Sequence, residues 1–184
     1  MTSITDSVPL TLACHAQTPS QAIRAIDVVV AGASSDILTL VFALEGDLSA
    51  LRIPEPQPSR RGHGLWRHTC CEVFVMAGQG PGYREFNFSP SGEWAVYAFR
   101  GYREGGELEL ELSPGIVVQR NADRLELYAE IRADLLPPGG SLRLALSAVV
   151  EDADGTLSYW ALRHLPGKPD FHHTDAFALQ LVQP

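Results

Sequence analysis

Polar and apolar residues alternate with a period of two along much of this chain. Leu125, Leu127 and Ala129, for example, alternate with Glu126 and Tyr128. Successive side chains of a β-strand point to opposite faces, so this pattern predicts strands with one buried face and one wet face. Almost no segment shows the three-and-four spacing of an amphipathic helix. The pattern therefore predicts an all-β chain.

Thirteen prolines and sixteen glycines separate the apolar runs and predict turns between short strands. Strands are predicted at 10–14, 23–30, 37–44, 70–76, 83–89, 93–99, 107–112, 116–120, 124–132, 141–151, 157–162 and 176–182. Their number and spacing favour two antiparallel sheets packed face to face, an antiparallel β-sandwich.

Three details of the strand pattern are more specific. The segment 37–44 is apolar on both faces apart from Thr39, which predicts a central strand. The segment 107–112 alternates Glu with Leu and predicts a solvated outer strand. Tight turns are predicted at 90–92 and 152–155, where Gly follows Pro, Ser or Asp.

Composition sets limits on size and partners. The 184 residues suit one well-buried domain, 1–184, because no charged, Ser-rich or Gly-rich linker divides the chain. The formal charge of −8, with scattered Lys and Arg, argues against nucleic acid and against an anionic membrane as partners. A small neutral ligand fits this charge better. Oligomeric state is not indicated.

The N-terminal residues and the cysteines bear on location. The start MTSITDSVPLTLACHAQ lacks the basic and apolar regions of a secretory signal, and no segment is apolar over a bilayer-spanning length. Adjacent Cys70 and Cys71 would point to opposite faces of a strand, and the total of three is odd, so reduced thiols are expected. These features predict a soluble cytoplasmic protein.

The stretch 65–103 has unusual residues on its predicted wet faces. Glu72, Glu85, Asn87 and Tyr97 occupy positions where a solvated strand needs no particular side chain. The parity of Trp94 places it with the apolar residues of the same strand, so a core position is expected. Carboxylate, amide and phenol side chains on this wet face favour ligand binding.

Two long loops each adjoin a tryptophan. The Pro-rich segment 52–64 precedes Trp66, and the polar segment 163–175 follows Trp160. Long ordered loops in compact domains often carry function.

A set of characteristic motifs lies between Leu65 and His172. These motifs are Leu65-Trp66, Thr69-Cys70, Glu72-Val73-Phe74, the run EFNFSPSG from Glu85 to Gly92, Trp94, Tyr97, Gly101-Tyr102-Arg103, Tyr159-Trp160-Ala161-Leu162, His164 and Lys168-Pro169-Asp170-Phe171-His172. At these motifs the chain resembles the bacterial DOMON-like domains related to family 9 carbohydrate-binding modules. Cys71 departs from the pattern, where a larger aromatic residue is expected.

The resemblance implies a β-sandwich of the jelly-roll or immunoglobulin-like DOMON type and a non-catalytic role in ligand binding. Sugars are the reference ligand among the better-known relatives, whereas other DOMON domains bind haem. Fold alone does not choose between these ligands.

Sugar binding requires aromatic faces for pyranose C–H groups and polar side chains for vicinal hydroxyls. Trp66, Trp160, Tyr97 and Tyr102 are the candidate platforms, with Trp66 and Trp160 as stacking walls. The candidate polar residues are His68, Glu72, Glu85, Asn87, Arg103 and His164. In the competing interpretation both tryptophans are core residues and Glu72 pairs internally with Arg103 or Arg84. Phe171 is expected to fill the sandwich.

Other chemistries use the same side chains. Glu72 and Glu85 could act as the acid and base of a glycosidase. His164, His172, His173 and Met76 are possible axial ligands of haem, although no cofactor is expected. Zinc could be held by His68, Glu72 and His164, without a spacing signature. The segment 152–155 resembles the start of a calcium loop, but a hairpin turn explains it better.

A protein-interaction domain without a small ligand is a third possibility. It would have the cluster around Glu72, Glu85 and Asn87 fully buried and mutually hydrogen-bonded. An open cleft next to these residues would instead favour ligand binding.

Overall fold

The computed structural model describes residues 8–33, 37–78, 80–138 and 141–182. These residues form thirteen β-strands and four short 3₁₀ turns, without an α-helix, which confirms the all-β prediction. The strands are β1 Leu10–Cys14, β2 Ile23–Ala33, β3 Ile37–Gly46, β4 Arg60–Arg61, β5 Cys70–Ala77, β6 Tyr83–Phe88, β7 Glu93–Gly101, β8 Glu104–Glu107, β9 Gly115–Arg120, β10 Arg124–Arg132, β11 Ser141–Glu151, β12 Leu157–Ala161 and β13 Leu179–Val182. No helix in these ranges has the length and hydropathy needed to cross a bilayer.

The strands form one curled sheet with two halves that share β1. The first half-sheet has the order β1-β2-β3-β10-β9, and the second has the order β4-β7-β6-β5-β11-β12, with β8 added to β7 and β13 to β11. In β1, Leu12 pairs with β2 whereas Cys14 pairs with β12, so a single strand passes from one half to the other. The predicted central strand is confirmed, because β3 lies between β2 and β10.

One apolar core receives side chains from both half-sheets. Phe42 and Leu127 come from the first half, and Phe86 and Leu146 come from the second. Trp94 belongs to this core, as its parity predicts, with 5% of its surface exposed. Burial of these faces away from water is the main favourable contribution to folding.

A second apolar cluster covers the outer face of the second half-sheet. Phe74, Met76 and Tyr83 project from that face, and Phe171 and Phe177 from the chain after β12 pack on them. Phe171 was predicted to fill the space between sheets, but it lies on this outer face instead. The segment 171–177 therefore covers one part of the sheet and leaves the part above Glu72 and Glu85 open.

Two predicted strands end differently in the structure. The strand predicted at 107–112 is wrong, because β8 spans Glu104–Glu107. The Leu108 N–H still donates to the Val96 carbonyl of β7, but the residues 108–112 form no strand. β4 pairs with the start of β7 on the same edge that β8 pairs with farther along. At that point Arg61 Nη2 donates to the Leu108 carbonyl. The last strand begins at Leu179 because the 3₁₀ turn Thr174–Ala176 precedes it.

The predicted turns and thiols agree with the structure. Gly92 and Gly155 adopt left-handed φ angles of 93° and 90°, which glycine tolerates without steric cost. Cys70 and Cys71 are free and buried on opposite sides of β5. Burial raises the pKa of both thiols well above its usual value, so they remain protonated.

Candidate functional site

A cleft of about 380 Å³ opens on the outer face of the second half-sheet. Its floor carries Glu72 of β5 and Glu85 of β6. Its aromatic lining consists of Trp66, Tyr97, Phe99, Tyr159 and Phe171. Arg103, His172, Val149 and Pro169 complete the lining. A cavity of this size lies in the lower part of the range found for small-molecule sites, roughly 300–1,000 Å³.

Strand register brings the floor residues together. Glu72 lies opposite Asn87, and Glu85 lies opposite Tyr97, on three neighbouring antiparallel strands. Residues two apart share a face, so Glu85 and Asn87 project to the same side of β6. The Asn87 side chain donates from Nδ2 to Glu85 Oε1 over 2.8 Å.

The two carboxyl groups are buried, and the hydrogen bonding around them is incomplete. Glu72 is 2% exposed and Glu85 is 5% exposed. Within the described ranges, Glu72 Oε1 and Asn87 Oδ1 have no hydrogen-bond partner. Unsatisfied buried polar atoms cost about 1–3 kcal/mol each, so an arrangement of this kind is uncommon unless it has a use.

Burial changes the protonation of this pair. Desolvation, reinforced by the neighbouring charge of Glu85, raises the pKa of Glu72 well above its usual value. Desolvation also raises the pKa of Glu85 to about 7, against the effect of the Asn87 hydrogen bond and the Arg103 charge. Two nearby carboxyl groups in a dry site do not both ionise readily. At neutral pH the pair retains protons that exposed glutamates would have lost.

A hydrogen-bonded chain runs along one wall of the cleft. The Arg103 backbone N–H donates to Tyr83 Oη over 3.1 Å, and Tyr83 Oη lies 2.9 Å from His172 Nδ1. Burial, with the charge of Arg103, lowers the pKa of His172 to about 4, so the imidazole is neutral at pH 7. A neutral imidazole carries one N–H, so with the Tyr83 hydroxyl donating to Nδ1 the proton lies on Nε2. The Nε2–H then points toward Glu85 Oε2, 3.8 Å away.

Arg103 is positioned by a strained turn. It is the one non-glycine residue with positive φ in the described ranges, at 55°, in the two-residue connection between β7 and β8. Its Nη2 donates to Asp170 Oδ1 over 3.0 Å, and Tyr102 donates to Asp170 Oδ2 over 2.8 Å. Burial acts to raise the pKa of Asp170, but these hydrogen bonds lower it below its usual value. Left-handed non-glycine residues concentrate at functional sites.

Trp66 lies on the 3₁₀ turn Leu65–Arg67 at the rim of the cleft. Gly64, with a φ of 64°, allows the sharp entry into this turn. The indole is 47% exposed, and the Arg67 guanidinium lies 5.0 Å from its ring centre. It is therefore an aromatic platform with access to solvent.

The structure brings most of the sequence candidates together. Five of them line the cleft: Trp66, Glu72, Glu85, Tyr97 and Arg103. Asn87 lies beneath them and orients Glu85. Tyr102 is exposed beside them and helps to hold Asp170.

Three candidates lie elsewhere. Trp160 is 5% exposed in the main core, and its Nε1 donates to Ser158 Oγ, so it cannot be a stacking wall. His68 Nδ1 lies 2.7 Å from Glu151 Oε2. His164 Nε2 lies 2.8 Å from the Ala13 carbonyl, outside the cleft lining.

The physical reasons for these misplacements differ. Trp160 shares the core-facing parity of its strand, where burial outweighs its single polar N–H. His164 packs edge-on against His15, across from the end of β1, a contact that spacing along the chain cannot indicate.

Sequence reasoning assigned no ligand-binding role to six lining residues, among them Phe99, Tyr159 and His172. Phe99 and Tyr159 were assigned to strands without a role, although the parity of Tyr97 could have indicated Phe99. His172 was left undecided between structure and function, and its contact with Tyr83 spans 89 positions of sequence.

The other predicted chemistries receive little support from the geometry. Glu72 forms no ion pair with Arg103 or Arg84 in the described ranges, since Arg103 bonds Asp170 and Arg84 bonds the Asp134 carbonyl. Those ranges contain no cluster of three or more metal-ligating side chains. At the suspected calcium loop, Asp154 Oδ1 accepts from the Thr156 N–H, as in a hairpin turn.

Several solved structures have a fold similar to that of this chain. One similar structure is a candidate carbohydrate-binding protein from Bacteroides uniformis, with a TM-score of 0.73 at 15% identity over 97% of this chain and 86% of that one. A family 9 carbohydrate-binding module from Caldicellulosiruptor kristjanssonii in complex with glucose gives a TM-score of 0.55 at 9% identity over 91% and 80% of the two chains. This chain shares its fold with family 9 carbohydrate-binding modules.

The cellotriose complex of the Caldicellulosiruptor module agrees, with a TM-score of 0.55 at 10% identity over 90% and 79% of the chains. No family model and no curated protein matches the sequence. The predicted resemblance to family 9 modules is thus confirmed for the fold.

Proposed function

We propose that this chain is a non-catalytic carbohydrate-binding module, and that its two half-sheets are the layers of a jelly-roll or immunoglobulin-like β-sandwich. The observation that carries the proposal is the unpartnered, buried Glu72 Oε1 on the floor of an open, aromatic-lined cleft. A purely structural network would be expected to satisfy that atom. The likeness to modules crystallised with glucose and cellotriose supports the same ligand class.

The side chains suit the two kinds of surface that a sugar presents. Trp66, Tyr97 and Phe99 offer ring faces to the C–H groups of a pyranose. Glu72 and Glu85 accept from hydroxyl groups when ionised and can also donate when protonated. Arg103 and His172 add N–H groups at the wall.

A binding role fits the carboxyl pair better than hydrolysis. A glycosidase needs its two carboxyl groups on either side of the scissile bond. Here Glu72 and Glu85 come from adjacent strands of one sheet, and both have their pKa raised by burial. We therefore expect binding without turnover and without a cofactor, so added haemin should give no Soret band.

Tryptophan fluorescence offers a direct test. Trp66 is the exposed indole, whereas Trp94 and Trp160 are buried. Titration with mono- and oligosaccharides should change the emission of the wild-type protein, and the change should disappear in Trp66→Phe. Calorimetry on the same panel should give matching affinities. Absence of binding across neutral, acidic and amino sugars and cell-wall fragments would refute the proposed function.

A further inference from the structure

The floor of the cleft carries two buried carboxyl groups whose ionisation no ion pair with the described residues stabilises. Glu72 and Glu85 are diagonal neighbours on β5 and β6, because Glu72 pairs with Asn87 and Glu85 pairs with Phe74. Neither forms an ion pair with Arg or Lys in the described ranges. Buried carboxyl groups in proteins are usually paired with a cation or hydrogen-bonded on every acceptor.

The guanidinium groups near the cleft are already engaged, and His172 is neutral at pH 7. Arg103 donates to Asp170 and to Tyr102, and its guanidinium lies 5.6 Å from the Tyr102 ring centre. His172 accepts from Tyr83, and its Nε2 stays 3.8 Å from Glu85, beyond hydrogen-bond distance. Arg67 lies over the Trp66 ring. The Ser147 hydroxyl opposite Glu72 offers the floor a neutral donor, but no cation of the described residues forms an ion pair with either carboxyl group.

An ammonium group matches these acceptors. It has three N–H donors and one positive charge, and charge-assisted hydrogen bonds to carboxylates are stronger than neutral ones. The aromatic faces of Trp66 and Tyr97 line the same cleft and attract a cation through the ring quadrupole. A carboxylate floor with aromatic walls is thus complementary to a cationic ligand.

We propose that the cleft selects a sugar with a free amino group, a hexosamine, whose ammonium is held by Glu72 and Glu85. This inference rests on the proposed carbohydrate function and narrows its ligand class. Acetylation removes the charge and two of the donors, so an N-acetyl sugar loses the advantage.

Calorimetric titration at pH 7 and low salt tests the inference with three ligands of one ring type: D-glucosamine, D-glucose and N-acetyl-D-glucosamine. Glucosamine should bind about tenfold or more tightly than the other two, as expected for one charge-assisted hydrogen bond in a desolvated site. Equal affinity for glucosamine and glucose would overturn the amine preference and leave the proposed function standing.

Glu72→Gln is the decisive variant because it keeps the shape of the side chain but cannot ionise when an ammonium group binds. It should reduce glucosamine affinity about tenfold and change glucose affinity by less than about threefold. Glu130→Gln is the matched control, since that side chain is exposed on β10 in the other half-sheet. An unchanged glucosamine affinity in Glu72→Gln would refute the assigned contact.

Proton release gives a test that needs no variant. At pH 6 a sugar ammonium is charged, while Glu72 and Glu85 retain protons because burial raises the pKa of each. Binding of the ammonium should expel protons, seen as a dependence of the binding enthalpy on the ionisation enthalpy of the buffer. Glucose should show no such dependence. Absence of proton release with glucosamine would contradict the proposal, whereas binding of neutral glycans alone would refute it without touching the broader function.

Discussion

Trp66 and Trp160 show how one residue type takes two roles in this molecule. Trp66 lies on a turn that glycine makes possible and keeps nearly half of its surface exposed at the cleft. Trp160 follows the inward parity of β12 and packs in the main core. Their substitution should therefore have opposite consequences for binding and for stability.

Trp66→Ala should abolish or greatly weaken sugar binding while changing the free energy of unfolding by less than about 1 kcal/mol. Trp160→Ala should lower the free energy of unfolding by about 3–5 kcal/mol, because it leaves a cavity in a packed core. Urea denaturation and calorimetric titration of both variants measure the two effects. Comparable losses of stability in both would contradict the assigned positions.

The carboxyl pair predicts a pH dependence of stability. Glu85 has its pKa raised from 4.5 to about 7, so the folded state binds more protons than the unfolded state between these values. The free energy of unfolding contributed by this group should therefore fall as pH rises from about 4.5 to about 7, by about 3 kcal/mol in total at about 1.4 kcal/mol per pH unit. Glu72 adds to the effect with the same sign.

His172 opposes this trend at lower pH, because its pKa is lowered from 6.5 to about 4. Between those values the unfolded state binds the extra proton, so His172 makes stability rise with pH. The decline should thus emerge above pH 6.5, where the contribution of Glu85 ends slightly above pH 7 and that of Glu72 continues. Urea denaturation from pH 4.5 to 8 should show it in the wild type, and Glu85→Gln should make the slope between pH 4.5 and 7 more positive because it removes the contribution that opposes His172. A flat wild-type profile would show that the pair is not protonated in the folded state.

At the level of elements, the Pro-rich segment 52–64 is anchored to β11 through Glu151. Arg52 Nη1 donates to Glu151 Oε1 over 3.0 Å, and His68 lies 2.7 Å from Oε2. Thr69 joins the backbones of the two elements, accepting from the Glu151 N–H and donating to the Arg52 carbonyl. Trp66 lies between these anchor points, so its orientation depends on them.

Glu151→Ala should loosen the turn that carries Trp66. We expect a loss of about 1–2 kcal/mol in stability, because Arg52 and His68 are exposed enough to recover hydration. Sugar affinity should fall several-fold although Glu151 is not part of the cleft lining, and hydrogen exchange of residues 65–68 should quicken. Glu126→Gln, on β10 in the other half-sheet, is the control and should leave the sugar affinity and the hydrogen exchange of residues 65–68 unchanged. Unaltered affinity in Glu151→Ala would exclude this positioning role.

At the level of the whole molecule, the shared strand and the common core couple the two half-sheets. β1 pairs with both halves, and the core contains fully buried phenylalanines from each. Neither half can keep its inner face buried if the other unfolds. The cleft is thus supported by a scaffold that opens only as a unit.

Unfolding should accordingly be a single cooperative transition, with equal calorimetric and van't Hoff enthalpies. Phe42→Ala in the first half-sheet and Phe86→Ala in the second should each lower stability by about 3–5 kcal/mol and shift that one transition. Two resolved transitions, with each variant moving only one of them, would contradict the coupling.

The all-β class, most strand positions and the central place of β3 could be predicted from the sequence, because period-two alternation and turn residues act locally. The same parity argument placed Trp94 inside and put Glu72, Glu85, Asn87 and Tyr97 on one outer face. It failed at 107–112, where competition for the edge of β7 decides which residues pair.

Contacts distant in sequence were decided only by the tertiary structure. Closure of the cleft wall depends on Tyr83 meeting His172 and on Arg103 meeting Asp170, across 89 and 67 positions. The strained turn at Arg103 and the unpartnered Glu72 Oε1 likewise exist only in the folded chain. Alternation along the stretch 65–103 therefore determined which side chains face outward, whereas packing of the later segment determined which of them remain accessible to a ligand.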